Sequence, residues 1–178
     1  CILEPSDAVS IGSPITGRIE RVLVERADPV EENQVVAQLE STVEVAALLH
    51  KLWAFYQVRG DMRVAIKEAQ RSLHVSRAAG DRHELMNAHC AMGATSLMRA
   101  EFAAAREHLA RALPHYDPAL DAGDALLSGV DTAVATLTYT GFVRWIMGEP
   151  DQAVAAVRET ALIAKRLAHP FVTAFSLF

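Results

Sequence analysis

The chain has 178 residues, of which 51% are hydrophobic and 22% are charged, and its formal net charge is -5. This composition is ordinary for a globular protein, and the length is sufficient to bury a core. The absence of a basic stripe argues against a nucleic-acid partner, and no apolar run approaches the roughly 18 residues of a membrane-spanning helix. The two cysteines, Cys1 and Cys90, indicate no disulfide framework.

The acidic residues are unevenly distributed along the chain. Residues 1–44 contain nine acidic residues and three arginines, whereas residues 45–178 contain thirteen acidic and fourteen basic residues. The first residue is Cys1 rather than a methionine, which fits a lipoprotein anchor or a fragment boundary. The change in charge and the change in periodicity described below predict two segments, 1–44 and 45–178.

The first segment shows the alternating pattern of short, half-buried strands. Apolar residues alternate with polar ones in residues 8–11 and 17–24, and residues 35–39 form a further short apolar run. Gly12 and Pro14, whose residue types interrupt strands, lie between the first two runs. Three or four strands of this length do not make a stable sheet alone, so we expect them to need a partner.

The stretch GSPITGRIERVLVERADPVEENQVVAQLES resembles the first half of a biotinyl/lipoyl-type domain of membrane-fusion (periplasmic adaptor) proteins. The resemblance implies a half-sandwich of strands that pairs with a second half-motif, which is not found downstream. Ala27 and Asn33 stand where that family favours glycine, and residues 40–44 lack the lysine that carrier domains modify. Covalent lipoylation or biotinylation is therefore not expected. The matching positions are Ser13, Pro14, Gly17, Ile19, Val22, Val24, Asp28, Val30, Gln34, Val36 and Leu39.

From residue 43 onward the apolar period changes to that of amphipathic helices. Three stretches align on an inter-helix turn, namely residues 52–73, 92–113 and 140–162. Their spacing exceeds the roughly 34 residues of a tetratricopeptide unit, which longer second helices and an insert from Pro114 to Asp131 explain. The turn residues of the three stretches are Gly60, Ala100 and Gly148, and an alanine follows each of them five residues later. Seven residues before the turn residue stand Trp53, Gly93 and Gly141.

Residues 45–178 resemble the tetratricopeptide-like region of bacterial signalling proteins that join a cyclase domain to a STAND-type ATPase. The likeness rests on LWAFYQVRGD, NAHCAMGAT, EFAAAREHLARALPHYDP, MGEPDQAV and the closing HPF. It implies a helical-repeat scaffold and carries over no catalytic residue. We therefore predict a mainly α fold: a tetratricopeptide-like α-solenoid of about three helical hairpins, preceded by a small β-rich half-lipoyl segment. The predicted units lie near 45–80, 82–116 and 131–168, with a truncated fourth helix at 170–178.

Neither a metal site nor a catalytic site is predicted. His83 and His89 lack the HExxH spacing, and Pro114 interrupts the helix between His108 and His115. Cys90 is expected to be a buried thiol on an apolar face. Phosphate-binding loops and nucleophile elbows are absent from the sequence. We therefore expect a protein that is not an enzyme and has no cofactor.

The predicted function is binding of a partner peptide or helix in the concave groove of the repeats, which the first helix of each hairpin lines. We expect a cytoplasmic protein. One alternative is a periplasmic, adaptor-like component of a secretion or efflux system, and another is a regulatory segment of a cyclase/ATPase signalling protein. Residues 1–44 or the C-terminal helix could also mediate homo-oligomerisation. The candidate partner-binding residues are His50, Gln57, Asn87, Cys90, Leu97, Met98, Thr138, Phe142 and Trp145.

Overall fold

A computed structural model describes residues 19–25, 28–31, 34, 36–39, 42–118, 131–168 and 170–175. The chain divides into two compact units, Cys1–Ser41 and Thr42–Phe178. The sequence-based division fell between residues 44 and 45, whereas the first helix of the structure begins at Thr42.

The first unit contains two short strands, β1 (Ile19–Val22) and β2 (Ala37–Leu39), which pair antiparallel. The pairing continues beyond the strands, since the Leu23 N–H donates to the Val36 carbonyl at 2.9 Å. The predicted strand at residues 8–11 lies outside the described residues, as do Ala27 and Asn33. Because the described part forms only this strand pair, the half-lipoyl fold stays a prediction.

The second unit is helical and solenoid-like, as the periodicity predicted. Six helices form three consecutive hairpins, and a short helix follows them in the described residues. A 3-10 turn at Leu113–His115 follows the fourth helix, and residues 119–130 of the predicted insert lie outside the described residues. The helices are α1 (Thr42–Val58), α2 (Met62–Ala79), α3 (Arg82–Met98), α4 (Phe102–Ala112), α5 (Thr132–Ile146), α6 (Pro150–Leu167) and α7 (Pro170–Phe175).

The turn inside each hairpin is built in the same way. Gly60, Ala100 and Gly148 have φ values of 79°, 60° and 80°, so each occupies the left-handed region that reverses the chain after a helix. In every case the next N–H donates to a carbonyl five residues earlier, at 3.0, 2.8 and 2.8 Å. The donor and acceptor residues are Asp61 and Tyr56, Glu101 and Ser96, and Glu149 and Arg144.

Local capping explains where several of the helices begin. Asp61, Asp81 and Asp131 accept hydrogen bonds from backbone N–H groups three residues later, which satisfies donors that a helix start otherwise leaves unpaired. Pro150 opens α6, where its fixed φ suits the first turn and its missing N–H costs nothing.

The core consists largely of alanines, which let the helices approach closely. One cluster joins α1, α2 and α3, another joins α3, α4 and α5, and a third joins α5, α6 and α7. At the close approach of α3 and α4, a Cβ added to Gly93 would stand 2.6 Å from Leu109 Cγ, so this position requires glycine. The alanine that follows each hairpin turn is buried: Ala65, Ala105 and Ala153.

Candidate interaction surface

All nine predicted partner-binding residues lie on the first helix of a hairpin, namely α1, α3 or α5. Helix α3 packs against both α1 and α5, so these three helices form one continuous side of the second unit. Because each hairpin reverses the chain, α1, α3 and α5 run in the same direction and their C-terminal ends lie at the same edge. The structure thus brings the predicted residues onto one side, but their accessibility differs greatly.

Four of the nine residues are buried, and one of them links two helices by a hydrogen bond. Asn87 accepts a hydrogen bond from Thr132 Oγ1 at 2.7 Å, which ties α3 to α5, and its Nδ2 lies 2.9 Å from His83 Nε2. Thr138 donates to the Val134 carbonyl within α5 at 2.8 Å. Whether these residues also contact a partner stays a prediction. The four are Asn87, Cys90, Leu97 and Thr138.

The middle of α3 is covered by side chains from its two neighbours. Gln57 of α1 and Tyr139 of α5 reach each other across it, with 3.4 Å between Gln57 Nε2 and the Tyr139 hydroxyl. Burial raises the pKa of Tyr139 to about 12 and that of Cys90 to about 11, so both groups are protonated at neutral pH. A protonated, buried thiol is a poor nucleophile.

Two of the predicted residues carry buried polar atoms that have no hydrogen-bond partner in the described part of the chain. They are His50 Nδ1 and Gln57 Oε1, which belong to residues about two helix turns apart on α1. Desolvation, with a smaller contribution from His83, lowers the pKa of His50 to about 4, so its imidazole is neutral at pH 7. The His50 ring also packs on Trp53, with ring centroids 4.8 Å apart. Gln57 Oε1 can accept a hydrogen bond, and His50 Nδ1 can accept or donate one according to its tautomer.

The remaining three predicted residues are exposed and apolar: Met98 is 54% exposed, Phe142 42% and Trp145 66%. Two further apolar residues at the same edge, Val58 and Ile146, are exposed as well and were missed by the sequence reasoning. Both residues stand two positions before the turn residue, as Met98 does in its own hairpin, and this equivalence could have identified them from the sequence. We call Val58, Met98, Phe142, Trp145 and Ile146 the turn-end patch.

A histidine cluster on another part of the unit was also missed. His89 Nδ1 and His108 Nδ1 are 3.1 Å apart, and the His115 ring stacks on His89 with centroids separated by 6.4 Å. Desolvation and the neighbouring cations and histidines lower the pKa of His89 to about 4, and desolvation is also the main cause that lowers the pKa of His108. Within the described residues, no group of three or more potential ligands is arranged to hold a metal ion.

Comparisons with known proteins gave no match: no family model matches the chain, and neither a curated protein nor a solved structure does. In the part of the chain that the structure describes, every helix is too short or too polar to cross a membrane.

Proposed function

We propose that residues 42–178 form a tetratricopeptide-like α-solenoid that acts as a non-enzymatic scaffold for binding a partner protein. The three hairpin turns support this assignment, because they share the same left-handed residue and the same backbone hydrogen bond. Hairpins of one construction that stack side by side are typical of helical-repeat proteins, whose extended surfaces serve recognition.

The turn-end patch is the observation that carries the proposal. It places Trp145, Phe142 and Met98 in solvent at one edge of three adjacent helices, with no charged residue among its five members. Exposed apolar groups that gather in one place are typical of interaction sites, and tryptophan is enriched among residues that dominate binding energy. An amphipathic helix of a partner protein would cover this patch with its apolar face.

Gln57 and His50 extend the patch along α1 with polar groups. Their Oε1 and Nδ1 atoms are buried and have no hydrogen-bond partner in the described residues, so a bound helix would reach them only after these side chains rotate and would then form a hydrogen bond with each. The apolar patch would then supply most of the affinity, whereas these two residues would fix the position of the partner along the groove.

The patch is tested by selecting helical peptides from a display library against the full chain. We expect amphipathic peptides to be enriched, and their affinity, measured by fluorescence anisotropy, to fall at least about tenfold in Met98→Glu and in Trp145→Ser. Both side chains are exposed, so these variants should retain the helical circular dichroism of the wild type. The matched control is Gln70→Glu, which changes an exposed residue of α2 outside the patch.

Two outcomes would contradict the proposal. One is a selection that enriches no peptide, and the other is binding that is unaffected by both patch variants. The resemblance of residues 12–41 to a membrane-fusion protein and the regulatory role suggested for the helical region both stay predictions.

A further inference from the structure

Helix α1 exposes an apolar face on its side away from the hairpin core. The residues recur at the spacing of a single helix face and are each between 38% and 59% exposed. Arg59 lies over the ring of the last one, 5.2 Å from its centroid. These residues, which we call the α1 stripe, are Val45, Leu48, Leu52 and Phe55.

Six of the eight residues at the same positions of α3 and α5 are buried, and the other two, Leu85 and Thr140, are half-buried. Leu48 stands twelve residues before the turn residue of its hairpin. The residues at this position in the other two hairpins are Ala88 and Thr136, which are both completely buried. Ala88 belongs to the cluster that includes residues of α2. In the second hairpin, this face therefore packs against the second helix of the hairpin before it.

The position of Phe55 gives the same result. Five residues before the turn residue, it corresponds to Thr95 and Val143, which are both buried. Val143 packs with Ala105 and Leu109 of α4. The α1 stripe thus corresponds to the surface that, in α3 and α5, packs against the preceding hairpin. The described residues contain no helix before α1 that could cover it.

Helix α6 presents the complementary half. Val157 stands nine residues after the turn residue of its hairpin. The residues at this position in the other two hairpins are Ala69 and Leu109, which are fully buried because α3 and α5 cover them. Val157 is instead 52% exposed. Val154 is exposed too, but its counterparts Ile66 and Arg106 are half-buried and exposed, so it borders the contact whereas Val157 lies within it. We call these two residues the α6 face.

Helix α7 covers only part of α6. Val172 is buried beside Ile163 and Ala164, near the C-terminal end of α6. Val157 and Val154, which are six and nine residues nearer the start of α6 than Ile163, remain in solvent. The contact that α7 makes with α5 and α6 therefore stops before it covers the α6 face.

We infer that copies of the chain associate head to tail, with the α1 stripe of one copy packed against the α6 face of the next. The contact would continue the inter-hairpin interface that α3 makes with α2 and that α5 makes with α4. Both halves are present on one molecule, which favours a second copy over an unrelated partner. The N-terminal half of the incoming α1 would lie where α7 lies now, so docking competes with α7 and is weakened by it.

Such a contact is heterologous, since different surfaces of the two copies meet, so a dimer still carries one free α1 stripe and one free α6 face. Assemblies should therefore grow in a continuous series as the concentration rises, rather than stopping at a dimer. Sedimentation velocity of the full chain over a wide range of concentration measures this directly.

Two single substitutions separate the two halves of the contact. Leu48→Glu places a charge in the α1 stripe, and Val157→Glu places one in the α6 face, each at an exposed position that tolerates a polar residue in the monomer. We expect each variant alone to remain monomeric at concentrations at which the wild type associates. An equimolar mixture should form a heterodimer and grow no further, because one intact stripe and one intact face remain. Gln70→Glu is the matched control and should assemble like the wild type.

The inference is overturned if the wild type is monomeric at every concentration, as it would be if a different segment or a partner covered the α1 stripe. It is also overturned if Val157→Glu assembles normally, since that result indicates pairing of two α1 stripes. Phe55→Glu and Val154→Glu repeat the test should either first variant lose its helical circular dichroism. Met98 lies on the central α3, so peptide binding that depends on it reports on the proposed function independently of assembly.

Discussion

The two tryptophans lie on equivalent helices but in opposite environments. Trp53 of α1 is buried among alanines of three helices, and its Nε1 donates to Thr95 Oγ1 at 2.8 Å. Trp145 of α5 lies in solvent at the turn-end patch. The two residues stand seven and three positions before their turn residues, respectively. The position relative to the turn, rather than the residue type, therefore decides whether an aromatic side chain stabilises the stack or remains available to a partner.

The largest expected effect comes from removing the buried tryptophan. Trp53→Ala leaves a cavity between α1, α2 and α3 and should lower the free energy of unfolding by about 3–5 kcal/mol. Trp145→Ala removes a mostly exposed side chain and should change it by no more than about 0.5 kcal/mol. Urea denaturation followed by far-UV circular dichroism measures both values.

A second variant isolates the hydrogen bond from the packing. Thr95→Val keeps the shape of the side chain but leaves the Trp53 N–H without its acceptor, which should cost about 1–3 kcal/mol. If Trp53→Ala and Trp145→Ala lowered the free energy of unfolding equally, the conclusion that only Trp53 stabilises the stack would be wrong.

The two helical glycines test the same contrast on a smaller scale. Gly93→Ala should destabilise the chain by about 1–3 kcal/mol, because the new Cβ would meet Leu109 Cγ at 2.6 Å and the Ala105 carbonyl oxygen at 3.3 Å. In the equivalent Gly141→Ala, the new Cβ would meet Val157 Cγ2 at 3.4 Å and the Ala153 carbonyl oxygen at 3.7 Å, which are ordinary contact distances. We expect it to be neutral or to stabilise α5 by up to about 1 kcal/mol through helix propensity.

Thermal denaturation of the two glycine variants in parallel checks this prediction. A stabilised Gly93→Ala variant would show that α3 and α4 can separate at no cost, which the close packing of Leu109 contradicts.

The sequence predicted the helical architecture well because its signals are local. The apolar period and the turn residues Gly60, Ala100 and Gly148 depend on neighbours within one hairpin, and the structure has a hairpin turn at each of them. Ala100 was identified only by alignment with the two glycines, since an alanine is not by itself a turn signal.

Burial on the side formed by α1, α3 and α5 could not be predicted in the same way. Counting positions from the turn places Cys90 and Leu97 on α3, but how far they are covered depends on how closely α1 and α5 pack against that helix. The Gln57–Tyr139 contact joins residues 82 positions apart and closes over α3. The histidine cluster escaped prediction for a similar reason, because α3, α4 and the 3-10 turn contribute one histidine each.

The histidine cluster should make stability depend on pH, with a smaller effect than the core substitutions. The imidazole of His89 titrates near its ordinary pKa of 6.5 in the unfolded chain and near 4 in the folded one. Between these values the unfolded state binds more protons, so the free energy of unfolding falls as the pH decreases from about 6.5 towards 4. Full stability is expected above pH 6.5. The groups that oppose the charged form are His108 and His115 together with Arg77 and Arg111.

Urea denaturation at a series of pH values between 7.5 and 5 measures this dependence, and His89→Gln should reduce its slope. The slope should not vanish, because burial lowers the pKa of His50 to about 4 as well, and that residue remains. His74→Gln is the matched control, since it makes the same change at an exposed position of α2. If His89→Gln and the wild type lose stability equally on acidification, the proton-linked loss must originate elsewhere. The burial of His89 would then not be the cause of the pH dependence of the free energy of unfolding.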